Sequence, residues 1–210
     1  MKRDLRRRPP QKDAGEVLFV AVEGKTEADY FECLRGRLRI PRQRLRIVNV
    51  GHGPVSEIKR FIDGLPGNRR YRGQYDEIDC LWGVADTEWD KSWKRCASRT
   101  AQLPSRGRRK VFWALSSASF ERWLLLHFVD SPVVVDAQHL AKALSKHLAG
   151  YSHQHKGLTE QQFDELWGRH ALALKRADLI RRSGLDSDDA FTDVDVLVQQ
   201  ILSMPLGDRA

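Results

Sequence analysis

Four carboxylates and two lysines stand where this chain could handle a phosphate. Glu23 closes the apolar run Val17–Val22, Asp86 and Glu88 follow Ile78–Val84, and Glu121 follows Val111–Leu115 after a serine-rich turn. Parallel strands have their C-terminal ends on one edge of the sheet, so side chains distant in sequence converge there. Gathered carboxylates repel one another and stay ionised together only beside a cation, and oxygen ligands suit Mg²⁺ or Mn²⁺. Two such ions can clamp the attacking and leaving oxygens of a phosphodiester. Asp86 and Glu88 also suit the cap and first turn of a following helix, where acids favour the helix dipole.

Lys25 follows Gly24, where the absent side chain lets backbone approach a phosphate, and its amine could neutralise charge in a transition state. A solvent-facing turn lysine fits the same position. Lys156, in Tyr151-Ser152-His153-Gln154-His155-Lys156, is a second cationic candidate. His153 and His155 lack a third nitrogen or sulfur ligand nearby and read as a polar loop rather than a zinc site. His127, in an apolar run, reads as a hydrogen-bonded packing residue. His52, between two glycines at a strand end, is a candidate phosphate or substrate contact. Trp82, Trp113, Trp123 and Trp167 sit in apolar runs and belong to a core, whereas Trp89 and Trp93 could either pack or stack a base.

These side chains need a scaffold, and the pattern along the chain supplies one. Strands are expected at 17–22, 45–50, 78–84 and 111–115. Helices are expected at about 27–39 (capped by Thr26), from Ser56 to Leu65, at about 91–103 and at 120–128. Tyr30, Phe31, Leu34 and Leu38 form a stripe at helical spacing in the first helix. Alternating strands and helices imply an α/β fold, a mostly parallel sheet with helices on both faces. The expected organisation is a disordered basic tail over 1–14, an α/β core over 15–135 and a helical appendage over 136–210. The last helix, about 194–202, should pack back on the core.

The 210 residues carry 36 Lys and Arg against 28 Asp and Glu, a formal charge of +8. A positive excess favours polyanions through phosphate contacts and counterion release. Arg35, Arg37, Arg39 and Arg42 in one basic segment, and Arg106, Arg108 and Arg109 in another, are the candidate nucleic-acid contacts, although solvated faces would look the same. The longest apolar runs fall far short of the roughly 20 residues that span a bilayer. No apolar stretch follows the basic N-terminal residues, so a cytoplasmic protein without membrane partners is expected. Cys33, Cys80 and Cys96 are widely spaced and suit reduced thiols.

Several runs together resemble a known family. E-G-K-T-E-A-D-Y-F at 23–31, V-A-D-T-E at 84–88, S-S-A-S-F-E-R-W-L-L-L-H-F at 116–128, Tyr151 through Lys156, and F-T-D-V-D-V-L-V at 191–198 are similar to RloB proteins in order and type. E-G-K-T-E with a D-x-[DE] after the third strand also resembles the Toprim fold of topoisomerases, primases and OLD-type nucleases. The resemblance implies a Toprim-like core in which Glu23, Asp86 and Glu88 bind Mg²⁺ or Mn²⁺ and Glu121 adds a ligand. It also implies a role in phage defence by abortive infection, with an ATPase encoded nearby as a possible partner. Two positions depart from the family: Glu88 stands where it usually has Asp, and Ser117-Ala118-Ser119 where it tends to have S-N-P.

The expected function is therefore a metal-dependent phosphodiesterase, a nuclease acting on DNA or RNA. Glu23, Asp86, Glu88, Glu121, Lys25 and Lys156 would form its catalytic set. A second reading is a weakly catalytic nucleic-acid or nucleotide-binding partner of a defence ATPase. A third, nucleotidyl transfer, would use the same acids.

Overall fold

The computed structural model describes residues 16–51, 55–87, 110–130, 136–152, 154, 156–183 and 191–204. The basic tail, His52, Glu88, Trp89, Trp93, Cys96, the expected helix at 91–103, Arg106, Arg108, Arg109, His153 and His155 lie outside them.

Four strands form one parallel sheet in the order β2-β1-β3-β4: β1 (Leu18–Val22), β2 (Leu45–Asn49), β3 (Cys80–Asp86) and β4 (Lys110–Ser116). The architecture is thus the expected α/β class. Every residue of β1 is buried, because this central strand is covered on both faces. Its side chains alternate. Leu18, Val20 and Val22 pack with Tyr30, Phe31 and Leu34 of α1 (Lys25–Arg37), while Phe19 and Ala21 pack with Val55, Ile58 and Ile62 of α2 (Val55–Gly64). Burying one such Leu or Phe side chain contributes about 1.5–3 kcal/mol. In β3, a side chain on Gly83 would strike the Trp113 ring at 2.5 Å, so glycine there lets the indole of β4 lie on the sheet.

Two expected caps differ. Gly24 rather than Thr26 is the N-cap of α1, and Thr26 lies inside the helix, where its hydroxyl serves a distant loop. Ser56 likewise lies within α2, which begins at Val55. Strand β3 starts at Cys80 rather than Ile78. The Asp79 carboxylate just before it accepts the Val17 N–H at 2.8 Å, which ties this turn to the entry of β1.

A short helix α3 (Arg72–Tyr75) precedes β3, and α4 (Glu121–Leu125) follows β4. The later helices are α5 (Ala137–Leu144), α6 (Glu160–Trp167), α7 (His170–Ser183) and α8 (Val194–Ser203). Leu140, Leu144, Phe163, Leu166, Ala173, Val194, Leu197 and Ile201 join the α1-side core of the sheet. The helical region and the sheet therefore share one hydrophobic core. Asp195, fully buried on α8, pairs with Arg181 of α7 through two bonds of 2.6 Å. No helix among the described residues is long and apolar enough to cross a membrane.

Candidate active site

The chain leaves β1 to one side to make β2, then crosses back to make β3 on the other side. A crevice opens at such a switch point, outside the carboxyl ends of the two central strands. The register Val22↔Val84 brings Glu23 beside Asp86, and the Asp86 N–H donates to Glu23 Oε2 at 3.1 Å. Glu23 is buried in spite of its charge, so this bond holds a side chain that could not stand there unpartnered.

Glu27 completes the same wall. With Gly24 as N-cap, Glu27 is the third helical residue, a position whose side chain reaches back over the helix start. A Cβ on Gly24 would lie 2.8 Å from Glu27 Oε2, so glycine leaves room for the carboxyl. Burial, aided by the charges of Glu121 and Glu23, pushes the Glu27 carboxyl up to about 8; Lys156 acts in the opposite sense. Lys156, which lines the same cavity, offsets part of the charge of these carboxylates.

The fourth carboxylate arrives from β4. The turn Ser117–Ser119 places Ala118 in left-handed backbone with φ 63°, and Glu121 opens α4. The Tyr151 hydroxyl donates to Glu121 Oε1 at 2.6 Å. Burial and the neighbouring Glu121 charge push the phenol up, which keeps it a proton donor. Arg122, also buried, donates from Nε to the Ser117 carbonyl at 2.9 Å and braces the turn.

Lys156 is delivered by a loop pinned to α1. The Gly157 N–H donates to Thr26 Oγ1 at 3.1 Å, and the Leu158 N–H donates to Asp29 Oδ2 at 3.0 Å. Gly157 has φ +120°, and a Cβ there would meet Lys25 Nζ at 2.5 Å and Asp29 Oδ2 at 2.7 Å. Only glycine serves at this point.

Glu23, Gly24, Thr26, Glu27, Asp86, Phe120, Glu121 and Lys156 line a cavity of about 20 Å³. That is room for one water-sized ion rather than a nucleobase. The donor set is all oxygen and strongly anionic, which fits a hard cation such as Mg²⁺ or Mn²⁺. Among the described residues, no three His, Cys, Asp or Glu side chains already stand in a metal-ligating group.

The expected residues divide accordingly. Glu23, Asp86, Glu121 and Lys156 meet at the cavity, while Glu88 and His52 lie outside the described residues. Lys25 is not part of the lining; its amine pairs with Asp29 at 2.5 Å. Arg35 pairs with Glu32, and Arg37 pairs with Asp164 and lies over the Trp167 ring. Arg37 ends α1, about 18 Å from Lys25 at 1.5 Å per residue. Arg35, Arg37, Arg39 and Arg42 thus occupy the sheet edge opposite the cavity. His127 is a packing residue: its Nδ1 lies 3.2 Å and 3.1 Å from the Trp123 and Leu124 carbonyls, and burial pushes it down to about 3. Glu27, Asp29, Gly157 and the Tyr151 hydroxyl were not singled out in the sequence, although E-G-K-T-E displays Glu27 openly.

The chain is an α/β domain with an open parallel sheet, and its acidic cavity lies at the switch point, where such sheets commonly take their ligands. The chain belongs to the RloB-like protein family, whose model matches residues 18–201. No curated protein and no solved structure matches it.

Proposed function

We propose that this chain is a divalent-metal-dependent phosphodiesterase, a nuclease acting on DNA or RNA. The observation that carries the reading is the meeting of Glu23, Glu27, Asp86, Glu121 and Lys156 around a cavity sized for one ion. Glu23, Glu27, Asp86 and Glu121 would hold Mg²⁺ or Mn²⁺, with Glu88 a further oxygen donor. Such an ion supplies Lewis-acid stabilisation of charge on phosphoryl oxygens and acidifies water.

The chain's own groups do the rest. Lys156 presents a fixed positive charge for a phosphate oxygen at the rim of the cavity. The Asp86 N–H donates to one oxygen of Glu23 and the Tyr151 hydroxyl to one oxygen of Glu121, which fixes both carboxylates at the wall of the cavity. Burial pushes the Glu27 carboxyl up to about 8, so it would carry a proton near neutral pH that a bound cation would displace. The cavity, sized for one ion, admits no base, so little sequence selectivity is expected from it. The resemblance to RloB proteins supports abortive infection as the setting, with a nearby ATPase as partner.

The deciding assay is cleavage of plasmid DNA and of tRNA or other RNA with Mg²⁺ or Mn²⁺, comparing wild type with Glu23→Ala and Asp86→Ala. Each variant should lose at least about a hundredfold, as when one preorganised charge-stabilising group is removed. Equal rates in all three proteins would overturn the reading.

A further inference from the structure

The arginines split into two groups once the fold is assembled. Arg35, Arg37 and Arg46 are spent in ion pairs with Glu32, Asp164 and Glu77. Arg39, Arg42, Arg69 and Arg72 are exposed, and among the described residues no salt bridge engages them. Arg70 lies over the Tyr71 ring at 5.4 Å, which holds a fifth guanidinium on the surface.

These residues come from two segments brought together at one corner. The Leu18 N–H donates to the Arg44 carbonyl and the Asp79 N–H to the Val17 carbonyl, so both segments flank the start of β1. Arg46 donates to the Gln74 carbonyl at 3.2 Å and to Glu77 at 2.8 Å, which locks the α3 segment to β2. Of the acids there, Glu77 is paired with Arg46, whereas Glu16, Asp76 and Asp79 keep their charge, Asp79 while accepting the Val17 N–H. Five exposed guanidinium groups against these three carboxylates leave the corner net positive.

We propose that this corner, Arg39 and Arg42 with Arg69, Arg70 and Arg72, is a second nucleic-acid contact that grips the sugar-phosphate backbone away from the cavity. The carboxylate cavity lies at the other end of the strands, about 17 Å away for five residues at roughly 3.3 Å each. A nucleic acid spans that distance in about five steps of 3.4 Å, and following the surface takes more. A mononucleotide or dinucleotide reaches one site only. The substrate class is thus a polymer, held by its backbone and without regard to sequence. The polymer part of this inference rests on the phosphodiesterase reading, whereas the binding surface does not.

The test is fluorescence anisotropy in EDTA, which reads binding without cleavage. The probes are labelled single strands and duplexes of roughly 30 units, titrated across a salt series. The triple variant Arg42→Glu/Arg69→Glu/Arg72→Glu should bind at least about tenfold more weakly, and its salt slope should fall by about 2 to 2.7 for three lost phosphate contacts. The lysine version of the same triple variant should bind within about threefold of wild type, because charge is what phosphate contacts need. Lys142→Glu/Lys146→Glu/Lys175→Glu changes net charge equally on the helical side and should also stay within about threefold. A triple arginine variant that keeps the wild-type affinity and slope overturns the surface, as does an equal loss in the helical-side control. Loss of binding in a protein that cleaves nothing under any metal leaves the surface standing and removes the phosphodiesterase reading instead.

Discussion

Glu27 bears the cost of bringing four carboxylates together. Burial raises its carboxyl from 4.5 to about 8, so the folded protein keeps a proton that the unfolded chain releases. The stability tied to that proton is complete below about pH 4.5 and is lost as pH rises to about 8. In EDTA, the melting temperature of the wild type should fall across that window, and Glu27→Gln should flatten the fall and melt several degrees higher at its alkaline end. Parallel melting curves for the two proteins would refute this role. Glu27 was in plain view in E-G-K-T-E, yet its place depends on where the helix begins. With Thr26 as cap, Glu27 opens the helix and faces outward; with Gly24 as cap, it is the third residue and folds back. A shift of two residues in one boundary thus decided its part in the site.

At the scale of elements, the sequence offers Lys156 as a candidate but not the anchoring of its loop, 156–158, to α1. Its contacts with Thr26 and Asp29 span 131 and 129 residues. No local pattern encodes such pairings, whereas the four strands announce themselves as apolar runs. Gly157→Ala should cost about 1–3 kcal/mol in urea unfolding, from its left-handed backbone and the clash with Lys25 and Asp29. Asp29 accepts the Leu158 N–H two residues beyond Lys156, so a double-mutant cycle tests whether it positions that lysine or merely supports the loop. Asp29→Asn should slow cleavage roughly tenfold in the wild type and hardly at all on a Lys156→Ala background. Equal losses on both backgrounds would make Asp29 a stability residue only.

At the scale of the molecule, the sheet separates charge. Its C-terminal edge gathers Glu23, Glu27, Asp86 and Glu121, and its N-terminal edge carries exposed arginines. The basic excess was legible from composition, but its location was not, because three of the arginines in the 35–46 segment are spent on ion pairs. The helices also hold the whole together through charge: Asp195 is fully buried and meets Arg181. Asp195→Ala should cost about 3 kcal/mol by urea unfolding, at the low end for a broken buried pair because Arg181 can turn to water. A loss below about 0.5 kcal/mol would place the pair with ordinary surface bridges.

The core shared by the sheet and the later helices has a practical consequence. Leu140, Leu144, Val194, Leu197 and Ile201 cover the same side of the sheet as Leu18, Val20 and Val22. Cutting the chain between 130 and 136 would leave each fragment with an apolar face open to water, prone to aggregation when made alone. Produced together, the fragments have every reason to find each other. Fusing the two fragments to a pair of dimerising tags would therefore make assembly of the shared core conditional on the tags.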